Sequence, residues 1–269
     1  MKTTLRLFMV PALLVAVVLG CKKDEVDAIG ANDKNNITLE FDNRVGTQAL
    51  ALGTTTYKNS AGEDFTVTTF NYFISNVALK KSDGTVVKFP DQYFLVRQAD
   101  SKTLLPVLKD VPAADYTQLS FVVGVDSTKS ISDVSQRTGV LDPTSYGDDN
   151  MYWSWNSGYI FAKLEGTSPV VPKNSAGINK YELHIGGFGG RTAVTPNNLR
   201  TVTLTMDEAA TVRKSIAPTI HLVADFSKIF NAVSTIKLAE TNSVHSPAAG
   251  TPIANNYQKM FTVDHVHND

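Results

Sequence analysis

The sequence predicts an all-β fold, an antiparallel β-sandwich of immunoglobulin-like kind in one domain with short helical turns, on three observations. Apolar residues recur with period two along most of the chain. Clusters of Gly, Asn, Asp, Ser and Pro interrupt that pattern at short intervals. Beyond the N-terminal region, no window of about 12 residues or more carries a helical apolar stripe.

The N-terminus stands apart from the fold. Residues 1–20 form a lipoprotein signal peptide, with Lys2 and Arg6 as its basic region and Leu7 to Val18 as its apolar core. The core ends in Val18-Leu19-Gly20, directly before Cys21, the only cysteine in the chain. A transmembrane anchor needs about 20 apolar residues, and this run is shorter and contains Pro11. Cys21 is therefore expected to carry lipid and to hold the protein on a membrane of the bacterial cell envelope, the outer membrane first, on its periplasmic or its surface face. A thiol consumed in that way leaves any metal site to His, Met or carboxylate. Residues 21–36, charged and then rich in Gly, Asn and Asp, read as a flexible tether, and 37–269 as the folded domain.

Strands are expected in order along that domain. Ile37, Leu39 and Phe41 alternate with Thr38, Glu40 and Asp42, and Leu119, Phe121, Val123 and Val125 alternate with Ser120, Val122 and Gly124. Further strands are predicted over 65–79, 86–96, 152–164, 179–185, 199–206 and 219–225. Turns are expected at Ser82-Asp83-Gly84, 59–63, 112–115 and the Gly186–Gly190 cluster, and single turns of helix at 130–136 and 227–231.

Composition narrows the function. A net charge of −1 without a basic run gives no sign of nucleic-acid binding. The phosphate-binding, nucleophile-elbow, zinc-protease and dinucleotide-binding motifs are absent from the sequence, so a non-enzymatic role is expected. Asp148-Asp149-Asn150 lacks the spacing of a calcium loop and reads as a polar turn.

All five histidines lie in the C-terminal third. In an extended His265-Val266-His267, the two imidazoles share one side of the strand about 7 Å apart at Cα and suit a metal ion. Met260, five residues earlier, adds a thioether that favours soft Cu(I). The apolar Met260, Phe261 and Val263 indicate that this tail docks on the domain. His184, between Leu183 and Ile185, and His221, between Ile220 and Leu222, each face away from their apolar neighbours, as ligands or as hydrogen-bonded structural groups. His245 lies in a polar loop and is expected to be exposed. Trp153 and Trp155, the only tryptophans, share a strand face if their segment is extended, where packing is the ordinary role of paired indoles.

Four blocks together carry a resemblance: Phe70 to Val77, Val123-Gly124-Val125-Asp126, the W-x-W-x-x-G-Y run from Trp153 to Tyr159, and Leu183-His184-Ile185-Gly186. In this order the chain resembles the MbnP-like copper-binding family over about 37–225. The resemblance implies a secreted β-sandwich concerned with copper, in some members paired with a di-haem protein that oxidises a tryptophan to kynurenine. It marks Trp153 and Trp155 as candidates for that modification and His184 as the best match to a family histidine. The cysteines of better-known members are missing from the mature part of this chain. The expected function is an envelope-anchored lipoprotein that binds Cu(I) in copper homeostasis. The alternative is a non-enzymatic surface module that recognises carbohydrate or protein through Tyr152, Trp153, Tyr159 and Phe188.

Overall fold

The computed structural model describes residues 29–269; the expected signal peptide, Cys21 and most of the expected tether lie outside the described residues. The strands are β1 (Lys34–Val45), β2 (Gln48–Ala49), β3 (Tyr57–Lys58), β4 (Asp64–Phe65), β5 (Thr69–Lys81), β6 (Val86–Phe89), β7 (Phe94–Arg97), β8 (Val107–Pro112), β9 (Ala114–Val123), β10 (Ile160–Thr167), β11 (Lys180–Gly186), β12 (Arg200–Val212), β13 (Thr219–Asp225), β14 (Ser243–Val244) and β15 (Phe261–His267). Two helices, α1 (Ser127–Ile131) and α2 (Pro247–Tyr257), and several 3-10 turns complete the described chain. The first strand takes the last three residues of the expected tether.

Two sheets form the sandwich. One runs β15-β13-β1-β2 with β8 also paired to β1, and the other β12-β9-β5-β10-β11-β14 with β6 and β7 on β5. Strand β1 shows why they stack: Ile37, Leu39, Phe41 and Val45 are buried while Thr38, Glu40, Asp42 and Arg44 alternate outward. Burying the apolar rows of both sheets against each other is the largest favourable contribution to the fold. Aromatic rings interlock across the middle, with Phe41 edge-on to Tyr72, Phe121 and Phe261 at 5.7, 6.4 and 6.2 Å.

The all-β sandwich is as the sequence predicts, and its strand pairing is antiparallel but for two pairs. Strand β1 pairs parallel with β13, and β11 parallel with β14. Parallel neighbours need long crossovers, which period-two alternation does not report. The five- and eight-stranded sheets also differ from the immunoglobulin strand layout.

Other departures have local causes. The strand expected over 152–164 begins only at Ile160, because Tyr152 and Tyr159 bridge across a tight loop whose Gly158 adopts a φ of +65°. The strand expected over 86–96 is broken into β6 and β7 around Pro90. Helix α2 was not expected, since Pro247, Gly250, Thr251 and Pro252 are weak helix formers. It forms because the Ser246 hydroxyl accepts from the Ala249 N–H, Pro247 occupies the first turn, and Ile253, Ala254 and Tyr257 are buried.

The segment between β9 and β10 closes one end of the sandwich with its own apolar cluster, formed by Val125, Leu141, Tyr146, Met151 and Tyr159 against Phe73 and Phe161. Arg137 is buried in that cap. Its guanidinium donates to the Ser130 and Ser132 carbonyls and the Tyr152 hydroxyl, and it lies over the Tyr152 and Tyr159 rings at 5.4 and 5.8 Å.

Candidate metal centre

The five histidines separate into two groups on different sheets. His221 on β13 and His265 and His267 on β15 form the first, on the outward face of the five-stranded sheet. A β-bulge puts them there. Val263 pairs with Leu222 and His265 with His221, so Asp264 is an extra residue on β15. Strict alternation from the buried Phe261 and partly buried Val263 would have turned His265 inward and Val266 outward. The bulge reverses the phase, so Val266 is buried and both imidazoles point to solvent.

The rings are close. His265 and His267 approach Nε2 to Nε2 at 3.1 Å, and His221 stacks on His265 with centroids 4.1 Å apart and lies edge-on to His267 at 4.9 Å. One nitrogen from each ring falls within 4.8 Å of the other two. His265 Nδ1 is 2.9 Å from Asp264 Oδ2, an outer carboxylate that orients the ring and leaves Nε2 free to face an ion. A cleft of about 180 Å³ beside His265 is lined by Asp207, Glu208 and Asp264, a negative approach for a cation. Three imidazoles on adjacent strands of one sheet form a donor set that fits copper or zinc.

Met260 does not join them. Its side chain is 1% exposed and lies in the sandwich core, and its carbonyl accepts from Asp225 N–H. The expected thioether ligand is instead a core side chain, because it lies in the turn between α2 and β15, where its N–H donates to the Tyr257 carbonyl and strand alternation does not govern it. The preference for Cu(I) that rested on sulfur loses its support.

The second group is His184 with His245, rings edge-to-face at 4.6 Å. His184 Nε2 lies 2.7 Å from Glu165 Oε1, and Glu165 also meets Lys180 at 3.1 Å and Lys163 at 3.6 Å. Glu165, Glu182 and His184 bring ligand atoms within 4.8 Å, but lysines already balance both carboxylates. This is a charge network of structural kind. His245 is exposed, as expected, and partial desolvation, with His184 nearby, lowers its pKa below the ordinary value.

Burial alone would push the Glu165 carboxyl up, but the hydrogen bonds from His184 and Lys180 and the charge of Lys163 outweigh it and hold it at about 2, against an ordinary 4.5. A carboxyl depressed on folding contributes stability that is complete above pH 4.5 and lost as pH falls toward 2, here about 3 kcal/mol. Denaturant melts at pH 6 and pH 3 will show the Glu165→Gln variant losing less stability on acidification than the wild type. An equal loss in both would refute the assignment.

The tryptophans occupy the bridged loop before β10 rather than one strand face. They still stack, with centroids 4.8 Å apart and planes 26° from parallel. Trp155 is 44% exposed, whereas Trp153 is partly covered by Gly186, where an added Cβ would lie 2.7 Å from the indole Cζ3 and 2.5 Å from the Tyr159 carbonyl oxygen. Gly186→Ala is therefore expected to cost about 1–3 kcal/mol by overpacking and to shift tryptophan fluorescence, which a melt and an emission spectrum together will show. Asn156 ties this loop to the next by accepting from Arg191 and Thr192 N–H and donating to the Ala193 carbonyl. Tyr159 and Phe188 are buried, so of the aromatics expected to stack on sugar only Tyr152 and Trp153 are partly accessible.

No curated protein matches the chain. Among solved structures, MbnP from Methylosinus trichosporium is similar, with a TM-score of 0.51 and 15% identity over 75% of this chain and 79% of that one. At that identity the likeness is one of fold. The model of the MbnP family matches residues 34–246, a span that contains His184, His221, His245 and both tryptophans but ends before His265 and His267. With well over half of its length matched, the chain belongs to the MbnP family.

Proposed function

We propose that this protein is an envelope-anchored lipoprotein that binds copper in metal homeostasis, without catalysis, at His221, His265 and His267. The observation that carries the reading is the convergence of three imidazoles within 4.8 Å on the outward face of one sheet. Imidazole is a good copper ligand, and copper is the strongest-binding divalent ion of the first transition row. The resemblance of the tryptophan and His184 motifs to a copper-binding family supports the same metal. The signal peptide and Cys21 support the lipid anchor, and with it a place on the envelope, the outer membrane first.

The exposed Trp155, stacked on Trp153, is accessible to a di-haem partner that would oxidise it to kynurenine. The test is a copper titration of the mature protein against a chromophoric chelator, together with mass spectrometry of protein from its native host. One equivalent held against the chelator is expected, with the kynurenine mass change at Trp155 or Trp153. No competition for copper in either oxidation state would end the copper reading, and unmodified indoles would return both tryptophans to packing.

A further inference from the structure

We infer that Glu40 is the fourth ligand of the three-histidine centre and that the ion held there is divalent, Cu(II) or Zn(II) rather than Cu(I). The inference rests on the reading of the three imidazoles as a metal centre and adds to it a residue and a charge state.

Glu40, His221 and His265 form one continuous cross-strand row. Glu40 of β1 is the register partner of His221 on β13, which in turn is the partner of His265 on β15. The alternation that buries Leu39 and Phe41 directs Glu40 to the same outward face as the imidazoles. His267 enters from the adjacent row, opposite Thr219. Four donors from three neighbouring strands thus surround one patch of the sheet surface.

The spacing is that of a coordination shell. Metal–nitrogen and metal–oxygen bonds of about 2.0–2.2 Å in a tetrahedral site place ligand atoms about 3.3–3.5 Å apart. Glu40 Oε2 lies 3.4 Å from His221 Nε2, and His265 Nε2 lies 3.1 Å from His267 Nε2. Two opposite edges of a tetrahedron are therefore close to their final length. Glu40 stands outside the group of three imidazoles whose ligand atoms all lie within 4.8 Å of one another, so rotation of its part-exposed side chain and of the rings must close the remaining edges. Asp264 on His265 Nδ1 supplies the carboxylate that commonly backs a metal-bound imidazole.

The donor chemistry sets the oxidation state. With Met151, Met206 and Met260 all buried, sulfur is missing from this face among the described residues. A carboxylate brings a hard oxygen and a negative charge, both of which favour a divalent ion over the soft monovalent one. The bound ion also joins β15, the edge strand, to β13 and β1.

The test compares the mature lipoprotein in detergent, wild type, Glu40→Gln and His265→Ala/His267→Ala, by chelator competition with Cu(II), Zn(II) and anaerobic Cu(I), after circular dichroism shows each variant folded. Glu40→Gln keeps the shape and removes the charge. It should weaken Cu(II) and Zn(II) by about 10- to 100-fold or more, leave Cu(I) within about threefold, and change the Cu(II) electron paramagnetic resonance spectrum. Unchanged divalent affinity in Glu40→Gln, with loss of binding in the double histidine variant, overturns the role of Glu40 alone. Wild-type protein that holds Cu(I) more tightly than Cu(II) overturns the charge state. Wild-type binding retained by the double histidine variant overturns the metal centre itself.

Discussion

Replacing His265 and His267 together by alanine is expected to abolish tight metal binding, a loss of at least about 100-fold, while the unfolding midpoint of the metal-free protein stays near wild type. Losing an outer partner of a metal ligand already costs about 10–100-fold in affinity, and this change removes two of three imidazoles. Both rings are exposed on the outer face of β15, and substitutions at such positions usually alter stability by about 0.5 kcal/mol or less. Val266, the inward residue between them, continues to dock the strand. Chelator competition and a thermal melt of the same samples check both parts. Retained affinity would move the metal elsewhere, and a large fall in midpoint would make the histidines structural.

Met260→Ala is expected to do the reverse, lowering stability by about 2–5 kcal/mol with metal affinity unchanged. That is the usual cost of truncating a buried Met, made of lost transfer energy and a residual cavity. Met260 is 1% exposed between the end of α2 and the start of β15, with its N–H donating to the Tyr257 carbonyl and its carbonyl accepting from Asp225. The cavity would open where the last strand joins the core. Denaturant unfolding measures the first effect, and the metal titration in the absence of denaturant measures the second. A folded Met260→Ala protein that lost copper would bring the thioether back as a ligand.

These two variants mark where sequence reading succeeds and where it stops. Strand β13 occupies the predicted 219–225 exactly as alternation requires, with Ile220 and Leu222 inward and His221 outward. The tail docks, as Met260, Phe261 and Val263 suggest, and His265 and His267 do share a face. A change of phase is also written there, since apolar residues at 261 and 263 followed by one at 266 cannot occupy one face without a bulge. Met260 itself precedes β15 and lies in the turn after α2, so strand alternation does not place it, and it belongs to the core. Helix α2 was illegible for a different reason: its residues have weak helical preference, and burial against β11 and the neighbouring core holds it in place.

The sequence by itself determined the local order of this protein: the alternation that commits most strands and their faces, the family motifs, and the histidines confined to the last third. Only the tertiary structure decided which side chains meet. It divided the histidines between two sheets, gave His184 to Glu165 and His221 to His265 and His267, and brought Glu40 beside His221 by a parallel pairing of strands far apart in the chain. The physical reason is that alternation is a property of a strand and its neighbouring residues, whereas register is a property of two strands. It is set by how the buried rows of both sheets pack against each other, so a site assembled across strands becomes visible only when they are paired.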